Sequence, residues 1–196
     1  GEPFYALAAS LLLMLEPDLS ETDRLSEIQK LAKGLGKGEV SLLQVVERAV
    51  KKDAHTRQLL LVVDQFEELY TLCPDERLRK GFIDELLAAL ETARGSKASA
   101  LVILLTMRAD FMGQALAYRP FADALQEASL LMGPMTRQEL HLAIEKPAEM
   151  QGAAFEAGLV ERVMDDVGEK PGNLPLLEFT LTQLWEQQSD GWLTHA

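Results

Sequence analysis

Three carboxylates follow an unbroken apolar run in LLLVVDQFEEL, Leu59 to Leu69. Leu59 to Val63 reads as a strand buried on both faces of a parallel sheet, because it lacks the polar alternation of a half-solvated strand. Asp64 then stands at the C-terminal end of that strand, the edge where open α/β sheets bind ligands. A carboxylate there suits Mg²⁺, which takes one or two acids plus water and phosphate oxygens in preference to a closed protein cage. Glu67 and Glu68 begin the next turn and are placed to activate a water for phosphoryl transfer, with Glu67 the first choice. The plainer alternative is that Asp64 caps a helix after a buried strand.

A second apolar run, LVILLTMRADF from Leu101 to Phe111, leads to Arg108. If its strand neighbours the first, Arg108 and Asp64 open onto one cleft, where a guanidinium can grip a γ-phosphate through two parallel hydrogen bonds. Pairing with Asp110, or with the acids behind Asp64, is the structural alternative. In a third segment, KPGNLPLLE from Lys170 to Glu178, Gly172 and Pro175 fix a bend where a helix starts, and helix punctuation is its plain reading.

No phosphate-cradling loop of the form G-x-x-x-x-G-K-[ST] occurs in the sequence. Gly36-Lys37 is followed by Gly38 and has Leu31 where the first glycine belongs, and Ser96-Lys97 fails as well. His55, His141 and His195 make no zinc pattern with Cys73, and no serine and histidine form a hydrolase elbow.

The elements that must position these residues follow from periodicity. Pro3 with Phe4, Leu7, Leu11, Leu12 and Leu15 predicts an amphipathic helix. Ser20 and Asp23 cap a second helix to about Lys33, where Gly34, Gly36 and Gly38 break it, and a third covers about Ser41 to Lys52. Between the two strands, the second taken as Ala100 to Thr106, Pro74 opens a long helix with Leu78, Phe82, Leu86, Leu87 and Leu90 on one stripe. Strand, helix and strand form a βαβ unit, right-handed by the usual rule. Ser129 to Met132 suggests a short edge strand. Thr136 with Glu139 is a capping box for a helix ending near Pro147. Phe155, Leu159, Val163 and Val167 mark a further helix, and Leu174 to Gln188 a last one containing Trp185. The expected layout is an α/β core over residues 1–135 and an all-helical annex over 136–196.

Composition bounds the function. The chain of 196 residues is 47% hydrophobic and 26% charged, so a packed core is readily filled and disorder is not expected. A net charge of −12 disfavours nucleic acid as a partner, since that attraction needs Lys and Arg to neutralise phosphates. The loose basic stretch Lys30, Lys33, Lys37, Arg48, Lys51, Lys52 and Arg57 is interrupted by Glu39, Glu47 and Asp53 and reads as a solvated helix face. One cysteine allows no internal disulfide and points to a reducing, cytoplasmic setting. No apolar run reaches the ~20 residues of a membrane span. The two ends, Gly1 and Thr194-His195-Ala196, read as cuts through something larger.

In this order and spacing, the segments PFYALA, LLLVVDQFEELYTLC, LVILLTMRADF and FEAGLVERVMDDVGEKPGNLPLLEFTLTQLWE resemble the STAND NTPases, which include NACHT and NB-ARC proteins. The resemblance is greatest to a bacterial STAND module usually set between an N-terminal effector domain and C-terminal WD-type repeats. It implies the fold of a partial P-loop NTPase core, with ATP and Mg²⁺ as cofactors and the phosphate loop upstream of Gly1. It implies the Mg²⁺ role for Asp64, water activation by Glu67 or Glu68 in the NACHT manner, a sensor role for Arg108, and contact of Pro175 in GNLPL with the adenine side. Gln65 departs from other branches, which carry a second acid directly after the first.

What the resemblance implies is an ATP-dependent signalling switch that controls oligomerisation and an effector. A non-hydrolysing scaffold of the same fold and an AAA+-like ATPase on nucleic acid are the alternatives. An intact upstream phosphate loop favours the switch over the scaffold. The AAA+ reading wants an acid at position 65 and a basic face, and the sequence offers neither.

Overall fold

Leu59–Val63 (β1) and Leu101–Leu105 (β2) pair in parallel, from Leu59 beside Leu101 to Val63 beside Leu105. They belong to a computed structural model that describes residues 2–52, 55–94, 101–168 and 172–195. Asp53, Ser96, Lys97, Lys170, Pro171 and the expected strand start at Ala100 lie outside the described residues. The chain is mostly helical, with two small parallel strand pairs, and divides into two compact units, Gly1–Ser129 and Leu130–Ala196. The expected division after residue 135 falls in the irregular segment that precedes the first helix of the second unit.

In the first unit, three helices precede β1: α1 (Pro3–Leu15), α2 (Glu21–Gly36) and α3 (Leu42–Lys52). Ser20 caps α2 by accepting the Asp23 N–H at 3.2 Å. The helix runs on through Gly34, which sequence alone reads as a breaker. A Cβ at Gly34 would lie 3.3 Å from Val40 Cγ2, so this glycine permits close packing, and the chain turns at Gly38, where φ is +67°.

After β1 come the one-turn helix α4 (Glu68–Thr71) and the long α5 (Glu76–Arg94). Asp75 accepts the N–H groups of Arg77 and Leu78 at 2.8 and 3.3 Å, so α5 starts two residues past Pro74. Helices α6 (Met112–Leu116) and α7 (Arg119–Gln126) follow β2. Helix α5 packs on β2, α2, α3 and α7, and its Phe82, Ile83 and Leu86 join Phe4, Leu11, Val46, Leu61 and Leu101 in one buried cluster. Phe4 and Phe82 meet edge to face with ring centroids 5.4 Å apart. Two side chains close helix ends across this core. Glu85 of α5 accepts the Leu42 N–H that opens α3, and Lys52 at the end of α3 donates to the Leu15 carbonyl that closes α1.

The strands differ from expectation on one side. Leu59, Leu61 and Leu101 are buried against the helices, but Leu60, Val62, Val102 and Leu104 are 44–59% exposed on the opposite face. The unbroken apolar pattern predicts cover on both faces, and the described residues supply it on one.

The second unit holds α8 (Arg137–Met150), α9 (Leu159–Val167) and α10 (Leu174–Glu186) around Ile144, Val163, Met164 and Leu177. The capping box forms, with Thr136 N–H donating to Glu139 at 2.8 Å and Glu139 N–H returning to Thr136 Oγ1 at 3.3 Å. Helix α8 ends at Met150, just past Pro147. The proline sits in the last turn, and the next residue, Ala148, is buried in the core. The annex is not all-helical: Ala154–Phe155 (β3) pairs in parallel with Trp192–Leu193 (β4), which takes Phe155 out of α9. Residues 129–132 form no strand, and Leu130, Leu131 and Met132 are 80–88% exposed.

The basic residues behave as a solvated face. Lys30 pairs with Glu27, Arg48 with Glu16 and Lys51 with Glu47, all exposed. Among the described residues, no helix is long and apolar enough to cross a membrane.

Ile83 is 2% exposed at the centre of the first unit. Ile83→Ala is expected to destabilise that unit by about 2–5 kcal/mol, because the cavity adds to the lost transfer energy. Urea unfolding followed by far-UV circular dichroism measures this. A change under half a kcal/mol would mean that the packing around α5 is not as described.

Candidate functional site

The site is built where β1 and β2 end together. Thr106 N–H donates to Val63 O at 3.1 Å, extending the ladder one residue past β2, and Phe66 N–H donates to Thr106 O at 2.8 Å. The chain leaves β1 by a tight turn in which Gln65 takes a left-handed conformation, φ +54°. Such a backbone is unusual for a residue with a Cβ and is tolerated where its surroundings enforce it. Here Gln65 N–H donates to Thr106 Oγ1 at 3.0 Å. Phe66 plugs the far side of the turn, 2% exposed, against Phe121 and Tyr70 with centroids 5.3 and 6.2 Å away.

This turn aims the acids differently. Asp64 is exposed, and its Oδ1 accepts the Thr106 hydroxyl at 2.5 Å. Glu67 is half-buried, and its Oε2 accepts the Arg108 backbone N–H at 3.3 Å. Glu68 is exposed at the start of α4. Asp64, Gln65 and Glu68 share a cavity of about 310 Å³ with Glu2, Ser10 and Cys73, whereas Glu67 and Arg108 do not line it.

The Arg108 side chain is paired rather than free. Its Nε and Nη2 donate to the two Asp110 oxygens at 3.1 and 2.8 Å. Those hydrogen bonds, and then the Asp110 charge, raise its pKa above the ordinary arginine value. Both side chains are more than half exposed, so water competes for the pair and weakens it.

Gly172 and Pro175 belong to the second unit. Gly172 has φ +98°, and Pro175 lies in the first turn of α10 behind Asn173, whose Nδ2 donates to Val167 O at 2.5 Å. This is a formed helix start. Asp64, Glu67, Glu68 and Arg108 therefore gather at one sheet end, while Gly172 and Pro175 lie at the head of one helix.

For a divalent cation the sheet end offers Asp64 Oδ2, which accepts no hydrogen bond from the described residues, with the exposed Glu68 carboxylate lining the same cavity. Nor do the described residues contain a group of three or more His, Cys, Asp or Glu side chains able to hold a metal. That donor set fits Mg²⁺ carried largely by water and phosphate oxygens rather than a closed protein cage.

The sequence model of the family described as novel STAND NTPase 1 matches residues 1–196. The chain belongs to that family. It is therefore a nucleotide-binding signalling module of the STAND class, a class whose nucleotide site typically includes a metal ion. Neither the curated proteins nor the solved structures contain a match.

Thr106 and the left-handed turn at Gln65 carry no mark in the sequence reading. The one available signal is a hydroxyl residue closing an otherwise apolar strand, LVILLT. The turn is testable. Gln65→Gly removes the Cβ that disfavours positive φ, and Gln65→Val adds β-branching. The glycine variant is expected to hold or gain stability, and the valine variant to lose about 1–2 kcal/mol in urea unfolding. Equal stability of the two would contradict the turn geometry.

Proposed function

We propose that this chain is the acid-bearing part of an ATP-dependent conformational switch, with ATP and Mg²⁺ as ligands. The observation that supports this most is the parallel register of β1 and β2, which sets Asp64 beside Thr106 and Glu67 beside Arg108 at one sheet end.

Asp64 is the residue that holds Mg²⁺ through water, its open oxygen accepting from a metal-bound water. The cation, when bound, neutralises charge developing on the phosphates. Glu67 is the acid that takes a proton from the attacking water. Its carboxylate is oriented by the Arg108 N–H, and orientation is what a general base needs before its basicity matters. Glu68, on the cavity side of the turn, is the second candidate for that task. Arg108 exchanges Asp110 for the γ-phosphate. An exposed ion pair is readily traded for a phosphate that accepts the same two-pronged geometry.

The phosphate cradle comes from a loop ahead of this chain in the longer protein. Gly172 and Pro175 serve the adenine side, the second unit acting as the helical closure. ATP state then controls oligomerisation and an effector carried, with WD-type repeats, elsewhere in the polypeptide. The acidic charge fits a cytoplasmic switch better than a motor on nucleic acid.

In a protein that carries the upstream loop, Glu67→Gln is expected to stop ATP turnover while nucleotide binding persists. Asp64→Ala is expected to weaken the Mg²⁺–nucleotide complex itself. Turnover assays and calorimetry with Mg²⁺–ATP read both, and loss of turnover in Glu68→Gln but not Glu67→Gln would move the base by one residue. Should the unsubstituted protein show no turnover at all, the scaffold reading replaces the switch, and turnover that none of the three changes would place the chemistry on other residues.

Arg108→Ala separates sensor from scaffold. Thermal melting is expected to lose only the stabilisation that a non-hydrolysable triphosphate adds over ADP. Equal losses with both nucleotides, or a large loss without either, would make Arg108 structural.

A further inference from the structure

One hydroxyl joins both strands of the site. Thr106 Oγ1 accepts the Gln65 N–H at 3.0 Å and donates to Asp64 Oδ1 at 2.5 Å, while the Thr106 main chain bonds Val63 and Phe66 on either side. A hydroxyl has one proton and two lone pairs. With a lone pair engaged by Gln65, its proton turns toward Asp64, and one threonine fixes both the backbone of the turn and the rotation of the carboxylate.

We infer that Thr106 is the positioning residue for Asp64. Its hydroxyl engages one lone pair of Oδ1 and so holds the carboxylate rotation that turns Oδ2 outward, free to accept from a metal-bound water. It also accepts the Gln65 N–H and so retains the left-handed turn that follows directly on Asp64. The bond to a carboxylate is charge-assisted, the stronger kind. Partners that orient a metal-binding carboxylate in this way typically affect metal affinity by about 10–100-fold. Without the hydroxyl, Asp64 rotates freely about χ1 and χ2, and its two oxygens become equivalent toward water. The inference rests on the metal-holding role proposed for Asp64, and its test separates the two.

The experiment uses the longer protein with its phosphate loop, loaded with ADP and Mn²⁺ as the probe. Mn²⁺ binding is followed by electron paramagnetic resonance, and amide hydrogen exchange at Gln65 is measured without nucleotide. Thr106→Val keeps the branched shape and removes the hydroxyl. It is expected to weaken Mn²⁺ binding by about tenfold or more and to speed exchange at the Gln65 amide. Thr106→Ser is expected to restore both, whereas residues that only fill space would not distinguish Ser from Val in this sense.

Where Thr106→Val disturbs folding, Gln65→Gly/Thr106→Val removes the need to retain a left-handed glutamine. That double variant is still expected to bind Mn²⁺ more weakly than Gln65→Gly alone. Unchanged Mn²⁺ affinity in the valine variants, alongside a clear loss in Asp64→Asn, overturns the positioning role. No loss in Asp64→Asn overturns instead the metal-holding role on which the inference rests.

Discussion

The parallel register between β1 and β2 is the constraint on which the site depends. Because Val63 sits beside Leu105, the residue just past β2, Thr106, reaches both Asp64 and Gln65. A slip by one residue would turn the buried leucines outward and carry the Thr106 hydroxyl to the other face of the sheet. Burial therefore enforces the site's geometry. Leu59, Leu61 and Leu101 are held under α5 and its neighbours, and the polar contacts follow from where those leucines must lie. Residues with no polar atom decide where the carboxylate stands.

Much of this was legible in the sequence, for identifiable reasons. An apolar run ending in Asp64 and another ending near Arg108 gave both strands, because long aliphatic blocks have few other folded solutions. Ser20 and Thr136 marked their helices because a capping side chain has a local partner a few residues away. What escaped depends on partners distant in sequence. Glu85 opening α3, Lys52 closing α1 and Thr106 clamping the turn each bridge elements that no local pattern connects. Gly34 misled because a glycine kept for close approach looks like one kept for a bend. The exposed face of Leu60, Val62, Val102 and Leu104 misled differently, since sequence reports what a strand prefers, not what covers it.

The second unit holds the same lesson on a smaller scale. Pro147 signals an end to α8, and the helix continues only three residues beyond it, its lost hydrogen bond set against the burial of Ala148. The pairing of β3 with β4 was invisible because two residues per strand leave no periodicity to read. Asn173, at the head of α10, reaches back to Val167 and so ties the end of α9 to the start of the next helix. Gly172 and Pro175 thus flank a side chain that bonds back to the end of α9.

The left-handed backbone at Gln65 bears on which substitutions this position tolerates. Glycine, asparagine and aspartate enter such a conformation with little strain, while valine, isoleucine and threonine are disfavoured. The turn therefore filters substitutions by backbone shape before any chemistry is selected. Aspartate passes that filter, so a second acid beside Asp64 is a conformationally silent gain. An acid can therefore stand beside Asp64 without any rebuilding of the turn, and the backbone leaves the number of carboxylates at this strand end open to change.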